Sequence, residues 1–321
     1  MGRKFKKYVL EKEETPHIYT GKNSYNYEFN DMNASTVSFL KDESEMKNKD
    51  DRNNPFDGQV IAVTSAKGGV GKTTVVTNLG VSLAICGKRV CVIDANFGFG
   101  NLDIFLGLVN RVVFDLSDVI NGRCRINQSM IKWGYLENLV FIPASQTDTL
   151  AGVSEERFEF TIDQLRKSFD YILIDTPSFS EVGFEIIMKG ADKHIIVMIP
   201  SIGCLRSTDK LSTYLERAEK NYWPMILINR YNADLAQNAD MINIKDITNL
   251  FSEELLGVVG EDVKLGVAEN TGKPITLVNS SSNNDVAFNN IAKRVLGEII
   301  PIQDLFKGSV PKRSIKNFFK M

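Results

Sequence analysis

The chain has 321 residues, a formal charge of −2 and 43% hydrophobic residues. That length allows two domains, or one α/β domain of about 200–250 residues with extensions. The near-neutral charge gives no global reason to expect a nucleic-acid partner. Four cysteines, Cys86, Cys91, Cys124 and Cys204, contain no Cys-x-x-Cys pair, so a zinc or iron–sulfur site has little support. Cys86, Cys91 and Cys204 lie in apolar surroundings and are expected as core fillers in a reduced, cytoplasmic compartment. No apolar run approaches the roughly 18 residues of a transmembrane helix. The basic N-terminus lacks the apolar segment of a signal peptide.

Residues 1–57 read as an extension, polar and rich in Asn, Lys, Glu and Asp, with no sustained helical period. Such a composition buries too little apolar surface to offset the entropy of ordering, so disorder is expected there. One island, Ser24-Tyr25-Asn26-Tyr27-Glu28-Phe29, alternates polar and aromatic residues and could fold onto a partner.

From Gln59 onward, apolar runs alternate with helical periods. Strands are expected at 59–64, 89–94, 138–142, 170–175, 193–199, 225–230 and 254–259, with a short one near 275–278. Helices are expected at 73–86, 154–168, 182–189, 205–221, 262–271 and 284–298. Runs such as Tyr171-Ile172-Leu173-Ile174 are apolar throughout, which suits strands buried on both faces of a largely parallel sheet. Right-handed crossovers then place helices on both faces, and ligands bind beyond the carboxyl ends of the strands. The expected fold is α/β: a mostly parallel, doubly wound sheet with helices on both faces. It should span 58–298 as one domain, between the extension and a linker-plus-tail at 299–321.

One stretch carries chemistry by itself. Ala66-Lys67-Gly68-Gly69-Val70-Gly71-Lys72-Thr73-Thr74 follows the first strand and opens the first helix. A glycine loop of this kind turns successive backbone N–H groups inward, and the helix N-terminus adds the positive end of its dipole. Lys72 is placed to reach the β- and γ-phosphates of a nucleotide, and the Thr73 hydroxyl to take Mg²⁺. Ala66 stands where the standard loop has its first glycine, and Lys67 adds a second lysine.

The last residues form a second candidate site. On a helix, Ile315, Phe318 and Phe319 share one face, while Lys312, Arg313, Lys316 and Lys320 fall to one flank. No acid is present between Phe306 and Met321. At two to three turns the helix is marginal in water and reads as an interfacial membrane anchor.

The loop at 66–74 resembles the deviant Walker A loop of the MinD/ParA superfamily. Asn101-Leu102-Asp103, Asp115-Leu116-Ser117-Asp118-Val119-Ile120, the run from Leu139 to Thr147 and Asn229-Arg230-Tyr231-Asn232 look like the MinD family in particular. The resemblance runs from about Val60 to Gly297. It implies a P-loop ATPase fold and binding of ATP with Mg²⁺. Residues Gly68, Gly69, Val70, Gly71, Lys72, Thr73 and Thr74 would cradle the phosphates. Thr73, Asp94 and Asp175 would serve the metal, and Asn229, followed by Arg230, would meet the adenine edge. The resemblance further implies that Lys67 reaches the nucleotide of a second subunit. ATP would then drive homodimerisation, which would favour an anionic membrane surface at the inner face of the cell membrane. A division-inhibitor or topological-specificity protein is the implied partner, and no nucleic acid is expected.

The sequence departs from that family pattern at several positions. After the second strand the family has Asp-x-Asp, and its second Asp helps orient the attacking water. Here Asp94 matches the first, but Asn96 holds the second position and Gly100 stands where an arginine is usual. Ser201 and Ser207 likewise replace carboxylates. Nucleotide binding should survive and hydrolysis, involving Lys67, Lys72, Asn96 and Asp175, should be slow. Two other readings stand beside this one: a nucleotide-gated switch with little hydrolysis, and a flagellar-number or partition relative. A partition relative would bind DNA in a salt-sensitive way.

Overall fold

The structure, a computed structural model, describes residues 58–218, 224–278 and 282–302. The extension 1–57 lies outside the described residues. So do the tail residues Lys312, Arg313, Ile315, Lys316, Phe318, Phe319 and Lys320.

An eight-stranded sheet organises the fold. Its strands are β1 (Gln59–Thr64), β2 (Val90–Asp94), β3 (Ile131–Lys132), β4 (Leu139–Ile142), β5 (Tyr171–Asp175), β6 (Lys193–Met198), β7 (Pro224–Tyr231) and β8 (Glu254–Gly260). The spatial order is β3-β4-β2-β5-β1-β6-β7-β8. All neighbours run parallel except β3 and β4. Successive side chains on a strand point to opposite faces. Ile61, Val63, Val92, Leu173 and Val197 therefore join one apolar core, and Val60, Ala62, Ile93, Ile172 and Ile196 the other. Both faces need apolar residues, which explains the unbroken apolar runs.

On the first face lie α1 (Lys72–Ile85), α10 (Val263–Thr271) and α11 (Asn283–Val295). They contribute Val75, Val76, Leu79, Leu83, Leu265, Phe288 and Ile291 to that core. On the second face lie α3 (Leu116–Ile120), α5 (Glu155–Arg166) and α6 (Phe184–Lys189), with Leu116, Phe158, Ile162 and Phe184. Helix α7 (Ile202–Ala218) sends Cys204 and Leu205 to the first core and Leu211 and Leu215 to the second. Four short helices complete the set: α2 (Leu102–Phe105), α4 (Ile126–Ser129), α8 (Ala233–Gln237) and α9 (Ile244–Thr248).

Two expectations are corrected. Residues 275–278 form a turn, with Leu277 N–H bonding Pro274 O at 3.0 Å. Pro274 opens that turn through its carbonyl, and the neighbouring Ile275 is buried in the core. Cys86 is no core filler: it follows the last residue of α1 and is exposed, whereas Cys91 and Cys204 are buried.

Candidate nucleotide site

The carboxyl end of β1 runs into the glycine loop and then into α1. Most longer helices here begin on a side chain that accepts an N-terminal N–H: Ser154 for α5, Asp262 for α10 and Ser282 for α11. Helix α1 begins on Gly71, which offers none. Its first N–H groups thus remain open to an outside anion. Gly69 and Gly71 hold φ of 74° and 97°, values that let the loop curl over this helix end. Ser65 Oγ donates to Lys67 O at 2.7 Å and ties the loop's near side.

Lys72 folds back into this hollow. Its ammonium donates to Ser65 Oγ at 3.2 Å and to Ser178 Oγ at 3.5 Å. Burial lowers its pKa, while the negative charges of Asp175, Glu181 and Asp94 act against that shift. Thr73 Oγ1 donates to Asp175 Oδ2 at 2.6 Å. Asp175 ends β5 directly beside Asp94 at the end of β2, in register. Both carboxyls are buried, and burial pushes both pKa values up. The Asp175 charge raises Asp94 further, whereas the Thr73 hydrogen bond and the Lys72 charge oppose the rise at Asp175.

Asp94 also organises the loop that follows it. Its Oδ1 accepts Asn96 N–H at 3.0 Å and its Oδ2 accepts Leu102 N–H at 3.1 Å. Asn96 is half-buried and donates its amide to Phe99 O at 3.4 Å. The glycine at 100 is explained by space. A Cβ there would stand 2.6 Å from Asp94 Oδ2 and 2.7 Å from Ala144 Cβ, so no side chain fits without moving the carboxylate.

Asn229 closes the site from β7. It is 3% exposed and donates its amide to Val70 O at 2.8 Å, while its Oδ1 is buried without a partner. The donor serves the loop, and the acceptor has capacity for an incoming N–H. Arg230 follows with φ of 55° and an exposed side chain. Lys67, Gly68 and Gly69 are exposed, while Val70 and Thr74 are buried.

Mg²⁺ fits the donor set. It takes hard oxygen ligands and is commonly held by one or two carboxylates plus substrate phosphates. Asp175 Oδ1 is buried with no partner beside the Thr73 hydroxyl, an acceptor with capacity to spare.

Sequence reasoning missed Ser65, Ser178 and Glu181; it likens the segment from Glu269 to Pro274 to a family segment near the base but gives Glu269 no chemistry. Ser178 and Glu181 follow the strand-terminal Asp175 by three and six residues, the same position relative to a strand that singled out Asp94. Glu269, on α10, accepts the Thr74 hydroxyl from 195 positions away, and no local pattern announces that bond. A cavity of about 430 Å³ lined by Ser117, Asn121, Arg123, Asp148, Thr149, Gly152 and Val153 includes none of these residues. Arg123 there is paired with Asp118 and Asp148, so it presents no uncompensated charge.

A family model described as an AAA domain matches residues 58–228. The septum site-determining protein MinD of Bacillus subtilis is 40% identical over 266 residues, 82% of this chain and 98% of that protein. The chain belongs to the MinD family of P-loop ATPases. Solved MinD structures share its fold. The MinC:MinD cell division protein complex of Aquifex aeolicus matches with a TM-score of 0.71 and 35% identity, covering 77% of this chain and 98% of that one. MinD of Pyrococcus horikoshii complexed with Mg-ADP matches with a TM-score of 0.67 and 27% identity, over 74% and 96% of the two chains.

Proposed function

We propose that this chain is an ATP-driven switch of the MinD type that acts in division-site placement. It dimerises with ATP, associates with the inner face of the cell membrane, and works with a division inhibitor or topological-specificity partner. The observation that carries the nucleotide reading is the convergence of Lys72, Thr73 and Asp175 at an uncapped helix end. The match over 98% of the Bacillus subtilis MinD supports the biological setting, and the name of the Aquifex complex supports a MinC-like partner.

In this reading Lys72 neutralises the β- and γ-phosphates, and the α1 N–H groups hold them. Thr73, Asp175 and Asp94 would hold Mg²⁺, which would supply charge neutralisation at the phosphate oxygens. Asn229 accepts from the adenine amino group. Lys67, exposed at the loop, is free to reach a partner's γ-phosphate, which makes the dimer specific for ATP over ADP. Asn96 holds the attacking water through its amide oxygen, which accepts a hydrogen bond but carries no charge. Phosphoryl transfer relies on positioning and electrostatics, so a weaker hold on the water slows turnover. The tail buries Ile315, Phe318 and Phe319 in the lipid interface, with Lys312, Arg313, Lys316 and Lys320 toward anionic headgroups. One tail binds weakly and two bind far better, so dimerisation gates attachment.

A second reading keeps the switch but removes most of the hydrolysis. Asn96 favours it, because the group beside the water is neutral and its amide N–H₂ is turned to Phe99 O. ATP turnover measured with and without anionic liposomes decides between them. Turnover that rises with liposomes supports the ATPase switch. ATP-dependent sedimentation without turnover supports the silent one. The absence of nucleotide binding overturns both.

A further inference from the structure

The phosphate loop makes one contact for which nucleotide binding has no use. Thr74, buried in the first turn of α1, donates its hydroxyl to Glu269 Oε1 on α10. Around Gly71 two side chains converge. A Cβ at Gly71 would stand 2.2 Å from Asn229 Nδ2 and 3.7 Å from Thr74 Oγ1. The Glu269 carboxylate therefore hangs on the same turn whose N–H groups no side chain caps. Asn229 Oδ1, buried and without a partner beside that turn, is an independent sign that this hollow is built to take a ligand.

We propose that Glu269 is a latch on the nucleotide site, an inference that rests on the nucleotide reading above. Its carboxylate holds the Thr74 hydroxyl and places a negative charge beside the first turn of α1. A phosphate group of an entering nucleoside di- or triphosphate competes with it in two ways. Thr74 has one hydroxyl proton to give, and while Glu269 holds it no phosphate oxygen can. The carboxylate is also a like charge at the edge of the phosphate hollow, in surroundings drier than water.

Displacement must occur by rotation of the glutamate side chain, because α10 itself is pinned. Gly272, just past its C-terminal end, has φ of 63°, and a Cβ there would lie 2.5 Å from Gly107 Cα. Two backbones in such contact leave the helix no room to retreat along that side. The latch thus lowers affinity for every nucleotide and quickens release, which suits a switch that must exchange ADP for ATP.

The test is calorimetric titration of the full chain with Mg-ADP and Mg-ATP at fixed ionic strength. Wild type, Glu269→Gln and Glu269→Ala are compared. Gln keeps an acceptor for Thr74 and removes the charge; Ala removes both. The latch predicts tighter binding in both variants. About threefold to tenfold is expected for Gln and about tenfold or more for Ala, where tenfold corresponds to about 1.4 kcal/mol. ADP should also dissociate more slowly from both. Unchanged affinity overturns the latch. Weaker affinity overturns it too, and would make Glu269 a ligand of the nucleotide, for example through the ribose hydroxyls. Should Glu269→Ala fail to fold, Glu269→Gln carries the comparison alone. If no chain binds either nucleotide, the nucleotide reading itself falls and the latch with it. That result is distinct from equal, measurable binding by all three, which sinks only the latch.

Discussion

Gly71 is the position where a single methyl group should do most damage to the site. Its φ of 97° lies in the left-handed region, where an L side chain costs about 1–2 kcal/mol. An added Cβ would also stand 2.2 Å from Asn229 Nδ2, inside any real contact. Asn229 is buried and holds Val70 O at 2.8 Å, so it cannot give way without breaking that bond. Leaving those groups unpaired costs about 1–3 kcal/mol. Gly71→Ala should therefore lose about 2–5 kcal/mol, the sum of the two ranges. Gly69→Ala is the internal control. Its φ is 74°, but nothing lies within 4 Å of the added carbon, so only the backbone part, about 1–2 kcal/mol, should appear. Urea unfolding with an unchanged denaturant slope reads both numbers. Mg-ADP titration should show binding lost in Gly71→Ala and retained in Gly69→Ala. Equal stability losses in the two variants would refute the argument that Asn229 buttresses the loop.

Further outcomes follow from the same geometry. Lys72→Ala should abolish nucleotide binding, whereas Lys67→Ala should keep ATP binding and lose ATP-dependent dimerisation, read by light scattering. Asn96→Asp should raise single-turnover ATP hydrolysis by about tenfold to a hundredfold, since a partly retained transition-state contact forfeits less than a full one. Deleting residues 310–321, or Phe318→Glu, should abolish ATP-dependent liposome sedimentation; equal sedimentation in ATP and ADP would count against dimer gating. Stability should also fall in acid through His194. Burial lowers its pKa from the ordinary 6.5, against its bond to Met188 O and the Asp192 charge. The unfolded chain then takes up a proton at this site that the folded chain resists. This contribution is complete above the ordinary value and is lost as pH falls below it; His194→Gln should flatten urea midpoints between about pH 7 and pH 5.

The sheet was legible because its strands are buried on both faces. Val60–Val63, Tyr171–Ile174 and His194–Met198 have no solvent-facing alternation to dilute the signal. The edge strand β3, two residues long, offered no such run. The short helices failed for a related reason: α2, α4, α8 and α9 have one turn or little more, too few residues to show a period. Strand 275–278 was misread because Ile275 and Leu277 are apolar at alternate positions, although Leu277 N–H closes a turn onto Pro274 O. The site was legible where chemistry is local. Lys72 and Thr73 stand in one motif, and Asp94 and Asp175 each end an apolar run. Glu269 was not legible, because its bond to Thr74 exists only once α10 has packed beside α1.

The two departures in the loop after β2 belong to one physical arrangement. That loop wraps Asp94 closely, feeding N–H groups from Asn96 and Leu102 to its two oxygens. The same closeness leaves no room for a side chain at Gly100, so the positive charge usual there is lost as the loop tightens. A carboxylate at 96, whose backbone already bonds Asp94, would then add a third negative charge near it without that compensating charge, in a site where burial already disfavours the ionised forms of Asp94 and Asp175. Asparagine avoids that third negative charge and still offers an oxygen to a water. In these terms Asn96 is the residue that suits a tight, arginine-free loop. Asn96→Asp should accordingly do two things at once. It should speed hydrolysis, and it should lower the melting temperature of the nucleotide-free chain while leaving the Mg-nucleotide complex nearly as stable as before. Added Mg²⁺ charge offsets the extra carboxylate only in the complex. A variant that melts like the wild type in both states would break the link between positions 96 and 100.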